Sequence, residues 1–160
     1  MQDEVIISPD TPPPNRIPPG QFAALPRIKV HAGFHCVTRW FRLHNLWEGV
    51  ATRHLVNLAA GVKFDCTHVL AHRFDGPWTT NLLLADFLSE EALVAFTHYG
   101  EPLTLKHAAP ARLIFPQLYA WKSAKWLRAL EFLAADRVGF WERNGYHRHG
   151  DPWREERFGW

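Results

Sequence analysis

Residues 27–40, "RIKVHAGFHCVTRW", decide how the rest of the chain is read. Ile28, Val30, Ala32, Phe34 and Cys36 fall on one side of a period-two alternation, and Arg27, Lys29, His31, Gly33 and His35 fall on the other. The pattern predicts a β-strand with Cys36 on its apolar face. His31 and His35 have a spacing that would share a face on a helix, but on a strand both rings turn away from the cysteine. No second cysteine stands at CxxC spacing, so a His/Cys zinc site fits poorly and the two histidines read as rim or solvent-facing groups. Cys36 is left as a structural thiol, as a nucleophile for which Arg39 and the histidines would supply charge and a base, or as something rarer. Cys66 reads as a structural thiol.

Outward from this strand, residues 9–19 hold six prolines, which exclude a helix or an inner strand. Residues 1–21 are read as an extended Pro-rich arm, and 22–160 as the one domain a chain of 160 residues has room for. Downstream, Val50, Leu55, Leu58 and Ala59 lie at helical spacing before Gly61, predicting a helix within 48–61. "KFDCTHVLAHRF" (63–74) alternates loosely as a strand and "DGPW" (75–78) has turn chemistry. Ser89, Glu90 and Glu91 mark a helix start, with Gly100 as its stop. "ARLIFP" (111–116) and "KWLRALEFLA" (125–134) read as strands joined by the loop "QLYAWKSA" (117–124), and Asp151 with Pro152 would open a last helical turn. The fold class expected is α+β, strand-rich, with short helices between strands.

Composition narrows the function. Hydrophobic residues make up 47% and charged residues 21%, which is globular, and the 8 tryptophans point to large flat surfaces around a site. Lys and Arg total 18 against 16 Asp and Glu, a net charge of +2 that gives no case for nucleic acid or an acidic membrane as partner. With only 2 cysteines, no leader-like segment at the N-terminus and no apolar run long enough to span a bilayer, the chain is expected to be cytoplasmic.

Basic groups do cluster locally. Lys122, Ser123, Lys125 and Arg128 crowd one inter-strand loop, and Arg112 lies just before it. Ammonium, hydroxyl, guanidinium and backbone N–H donors together suit a phosphate-bearing ligand, although a solvated basic loop has the same composition. Trp121 and Trp126 serve equally as core or as rim.

The motifs "FHCVTRW", "LHNLWEGV", "DGPWTTNLLL", "GEPLTLKHAAPARLIFP", "YAWKSAKW", "GFWERNGYH" and "DPWREERF" occur in the order found in sulfite-oxidase-like molybdopterin oxidoreductases. The resemblance covers about residues 26–158 and is closest to short bacterial members without haem or dimerisation domains. It implies a strand-rich mixed α+β molybdopterin-binding fold and a molybdenum cofactor (Mo-molybdopterin). Cys36 matches the thiolate that binds the metal beside the two dithiolene sulfurs, a soft donor for a metal already held by sulfur. By the same resemblance Arg112, Ser123, Ala124 and Lys125 hold the pterin and its phosphate, with His107 and Thr79 or Thr80 as further contacts. Lys122 and Tyr119 are placed along the same cleft, and Arg39 would attract an anionic substrate.

The resemblance also marks departures. The family pattern carries several dozen further residues where Gln21 and Phe22 run into "AALPRIKV", an internal deletion that removes a strand and a loop against the cofactor. Phe41 stands where a serine is common, and His44 where an aspartate is. Two readings follow: a molybdenum oxidoreductase acting on a small sulfur or nitrogen compound, or a shortened non-catalytic relative that serves as a binding or scaffold protein. With no CxxCH haem motif and no Rossmann glycine motif, an enzyme of this kind would exchange electrons with a separate partner.

Overall fold

The computed structural model describes residues 5–9, 15–17, 21–22, 24–59 and 65–160, the first two segments as backbone traces. Its strands are β1 (Val5–Pro9), β2 (Asn15–Ile17), β3 (Arg27–His35), β4 (Phe41–Ala51), β5 (His68–Arg73), β6 (Thr79–Leu83), β7 (Leu93–His98), β8 (Glu101–Pro102), β9 (Arg112–Ile114) and β10 (Leu127–Leu133). Three short helices, α1 (Thr52–Leu58), α2 (Leu84–Phe87) and α3 (Phe140–Arg143), join them. One sheet runs β2-β1-β10-β5-β6 and the other β3-β4-β7-β8, with β9 also paired to β7. Val69, Ala71, Leu82, Leu130 and Phe132 from the first sheet meet Val50, Val94, Leu113 and Phe115 from the second in the main core. A smaller core of Val30, Trp47, Leu93, Ala95 and Ile114 covers the other face of the second sheet.

The alternation in 27–36 forms β3 as expected, and Cys36 follows at the turn into β4, with its amide donating to Trp40 O at 2.9 Å. Further on, strand pairing shortens one predicted helix and replaces another. Glu48, Gly49, Val50 and Ala51 remain in β4 because β3 and β7 pair on both of its sides. A Cβ at Gly49 would lie 1.9 Å from Val94 O, so only glycine lets the strands approach this closely. Helix α1 starts at Thr52, and its expected end at Gly61 lies outside the described residues. The helix expected from Ser89 to Gly100 is instead strand β7. Its Val94 faces the main core and its Leu93 and Ala95 face the smaller one, so the segment is apolar all round because it is central. Gly100, at φ 78°, makes the β7–β8 turn rather than a helix cap.

The arm is also corrected. Segment 5–9 is an inner strand, parallel to β10 from Ile6 opposite Ala129 to Pro9 opposite Phe132, and β2 forms the sheet edge where a Pro-flanked segment is tolerated. At the junction, buried Phe22 meets Phe96 edge to face at 5.3 Å. In the tail, "GFWER" supplies α3, while Asp151 starts a non-helical turn by accepting the Trp153 N–H at 2.8 Å.

The loop expected at 117–124 contains a 3-10 turn at Ala120–Lys122, pinned by a buried ion pair. The Lys122 ammonium donates to Glu142 Oε1 at 2.8 Å, to Asn81 O at 2.7 Å and Oδ1 at 2.9 Å, and to Arg148 O. Thr80 Oγ1 and Trp121 Nε1 donate to the same carboxylate oxygen at 2.6 and 3.2 Å. Removing one partner strands a buried charge, so Lys122→Met is expected to lose about 3–5 kcal/mol in urea unfolding. A loss below about 1 kcal/mol would mean that the pair is unimportant.

His98, at the end of β7, stacks on Trp47 at 4.0 Å and donates from Nε2 to Asn45 Oδ1 at 3.2 Å. Burial, then the charges of Arg42, His107 and Arg112, lower its pKa from 6.5 to about 4. The unfolded chain binds this proton near pH 6.5 and the folded chain only near pH 4, so the penalty is absent above the first value and grows as pH falls to the second. In thermal melts, wild type is expected to lose more Tm than His98→Gln between pH 7 and pH 5. Equal losses would contradict the assignment.

Candidate functional site

The β3–β4 turn, the end of β5, the starts of β6 and β9, and residues 120–126 meet around a cleft of about 360 Å³. Cys36 lines it from the turn, Thr79 and Thr80 from β6, Arg112 from β9, and Ser123, Ala124 and Lys125 from the segment after the 3-10 turn. The sequence therefore scattered over almost ninety positions is gathered in one place by the two sheets. Arg39 is not on the lining: it is exposed at the turn, with φ 71°, and its amide donates to Cys36 O at 3.1 Å. His107 is outside as well, in the 3-10 turn Leu105–His107, its Nδ1 2.9 Å from Thr104 Oγ1 and its ring 5.6 Å from that of His98. Lys122 and Tyr119, expected along the cleft, are buried behind its wall. Cys66 packs beside the main core, its thiol donating to His68 O at 3.1 Å.

Arg112 sets the electrostatics. It is 4% exposed, and its guanidinium lies 5.2 Å from the Phe34 ring centre and 5.3 Å from that of Trp47. Among the described residues its one hydrogen bond, from a terminal nitrogen to Ser123 O, is long at 3.5 Å, and its Nε has no partner. Burial, and then Arg73, lower its pKa from the ordinary arginine range to about 10, which still leaves it charged at neutral pH. Lys125 is also lowered, by burial first and then by Arg112, Arg73 and Lys106. Neither Arg112 nor Lys125 has a carboxylate partner among the described residues, whereas Arg73 is held by Asp75, Nε to Oδ1 at 2.9 Å. An unsatisfied buried cation beside a second cation is an environment that calls for an anion.

Hydroxyls complete the donor set. Thr79 Oγ1 accepts from Phe140 N at 2.9 Å and Ser123 Oγ from Phe115 N at 2.9 Å, which fixes each oxygen and leaves its hydrogen to donate elsewhere. Thr80 is already committed to Glu142. Trp40, Trp121, Trp126, Trp141 and Phe34 supply flat walls. The sequence reading missed Arg73 and left the tryptophans without a place. The strand period in 63–74 was the available signal for Arg73, and the tryptophan content was the signal for the walls.

The donor set fits a molybdopterin. Its phosphate matches the unpaired Arg112 Nε and Lys125, its flat ring the indole walls, and its metal a soft sulfur donor at Cys36.

Comparison with known proteins agrees. Residues 12–141 match the oxidoreductase molybdopterin binding domain family. The oxidoreductase YuiH of Bacillus subtilis (strain 168) is 52% identical over 137 residues, which are 86% of this chain and 68% of that protein. Sulfite oxidase of Arabidopsis thaliana is 30% identical over 73 residues, 44% of this chain but only 19% of that protein. The sulfane dehydrogenase SoxCD from Paracoccus pantotrophus has the same fold, with a TM-score of 0.73 at 20% identity over 90% of this chain and 41% of that one. The strand-rich α+β architecture is thus the sulfite-oxidase type, and no helix among the described residues is long and apolar enough to cross a membrane. With its fold and its motifs in agreement, the chain belongs to the family of oxidoreductase molybdopterin-binding domains.

Proposed function

We propose that this domain binds the molybdenum cofactor, with Cys36 as protein ligand to the metal, and acts as an oxidoreductase of the sulfite-oxidase type on a small sulfur or nitrogen compound. The observation that carries this reading is the presence of Cys36 and the unpaired Arg112 guanidinium on one cleft. When bound, the cofactor supplies two-electron oxo-transfer chemistry. The chain's own residues bind and orient. Arg112 and Lys125 neutralise the phosphate, Ser123 and Thr79 donate from their hydroxyls, and the backbone at Ala124 closes the loop around it. Thr38 Oγ1, 3.0 Å from Cys36 Sγ, donates to the thiolate and fixes its direction. Arg39, exposed beside the opening, draws in an anionic substrate without touching the cofactor. Electrons pass to or from a separate carrier, and the scarcity of cysteine supports a cytoplasmic setting.

Metal analysis after expression in a host that makes the cofactor tests the proposal. About one molybdenum per chain is expected, and none in Cys36→Ser. Arg112→Ala and Lys125→Ala should each lower occupancy more than Arg39→Ala does. Equal occupancy in all three removes the phosphate assignment. A folded wild-type chain without molybdenum overturns the reading and favours the shortened, non-catalytic relative.

A further inference from the structure

The family match ends at residue 141, yet the chain beyond it returns to the site. Arg157 Nη1 donates to Val37 O at 2.6 Å and to Cys36 O at 3.4 Å. These carbonyls belong to the turn that carries Cys36, whose backbone is also tied by Cys36 N to Trp40 O and Arg39 N to Cys36 O. The guanidinium is itself held firmly. Its Nε donates to Glu155 Oε2 at 2.7 Å, and its plane lies 4.9 Å from the ring centre of Tyr119, which is 1% exposed. The Tyr119 amide is tied to Gly150 O at 2.8 Å. A charged donor reaching two successive carbonyls, and braced from two further sides, has the form of an outer-shell support for a ligand-bearing loop.

We propose that Arg157 is a positioning residue for Cys36, so that the C-terminal tail sets the direction from which the thiolate meets the cofactor. The inference rests on the reading of Cys36 as metal ligand. The hydrogen bond to Glu155 raises the pKa of Arg157, burial opposes the rise, and Tyr119, Glu155 and Cys36 add to it, so the group stays cationic. The backbone of the tail has its own anchors, His147 N to Arg157 O at 3.2 Å and Gly159 N to Gly145 O at 3.0 Å, so removing the side chain need not release the tail.

Arg157→Gln, Arg157→Lys and the control Arg143→Gln, whose arginine donates to Val138 O away from the turn, separate positioning from general stability. Hydrogen exchange on the cofactor-free chain reads the turn directly. The Cys36 and Arg39 amides should exchange about 10-fold faster or more in Arg157→Gln, while Arg157→Lys recovers part of the protection and Arg143→Gln leaves it intact. On the loaded protein, Arg157→Gln should hold the metal about 10–100-fold more weakly and shift its sulfur-to-metal absorption, with partial rescue by lysine. Unchanged exchange over residues 36–40 in a folded Arg157→Gln overturns the proposal, whether or not the wild type holds molybdenum. Absence of molybdenum from the wild type, with the exchange result as expected, instead overturns the reading of Cys36 as metal ligand.

Discussion

Arg112 carries a positive charge into a place where it is almost wholly buried and, among the described residues, has no carboxylate partner. Charges are rarely buried in that way, because desolvation costs several kcal/mol, of order 3–5 when a partner is missing. The fold is arranged to accept this cost. Arg112 opens β9, which is fixed by antiparallel pairing with the doubly buried β7, and its guanidinium lies 5.2 and 5.3 Å from the adjacent rings of Phe34 of β3 and Trp47 of β4. Arg73 adds to the field from the end of β5 in the other sheet. The cleft in this sense presents concentrated positive charge, with the cysteine at its edge.

The segment 119–126 links this electrostatic site to the stability of the whole domain. Lys122 points backward into a network with Glu142, Asn81 and Arg148, while Ser123, Ala124 and Lys125 point forward onto the lining. Adjacent residues in one loop thus divide the work, one tying α3 and β6 together and the others facing the cleft. Trp121 belongs to both, since its ring lines the cleft and its indole N–H reaches Glu142. Precise placement of cleft donors by a buried network behind them is what a preorganised binding site requires.

Much of this could be read in the residues. The alternation in 27–36 gave β3, although Cys36, expected on its apolar face, falls just past it in the turn, and the apolar runs gave β9 and β10. What failed has a common cause. Segments 49–51 and 93–96 are apolar on both sides, and periodicity alone does not distinguish a central strand from a buried helix. Pairing across β4 and β7, and the tight approach at Gly49, settle the matter in three dimensions. The prolines of 9–19 argued against an inner strand there; the inner strand β1 lies just before them at 5–9, ending on Pro9, and 15–17 pairs only as the edge strand β2. The basic cluster was legible as composition, while its division into Lys122 behind the wall and Lys125 on it depends on the direction of each side chain. Arg157, more than a hundred residues from Cys36, lies in the motif "DPWREERF", but nothing in its local sequence points to the contact with the Cys36 turn.

The central claim is that one protein sulfur, Cys36, reaches the metal of a cofactor held by Arg112. X-ray absorption at the molybdenum edge, on purified wild type and Cys36→Ser, measures this most directly. The account predicts one sulfur neighbour fewer around molybdenum in any metal retained by Cys36→Ser than in the wild type. Identical sulfur coordination in the two proteins would contradict it.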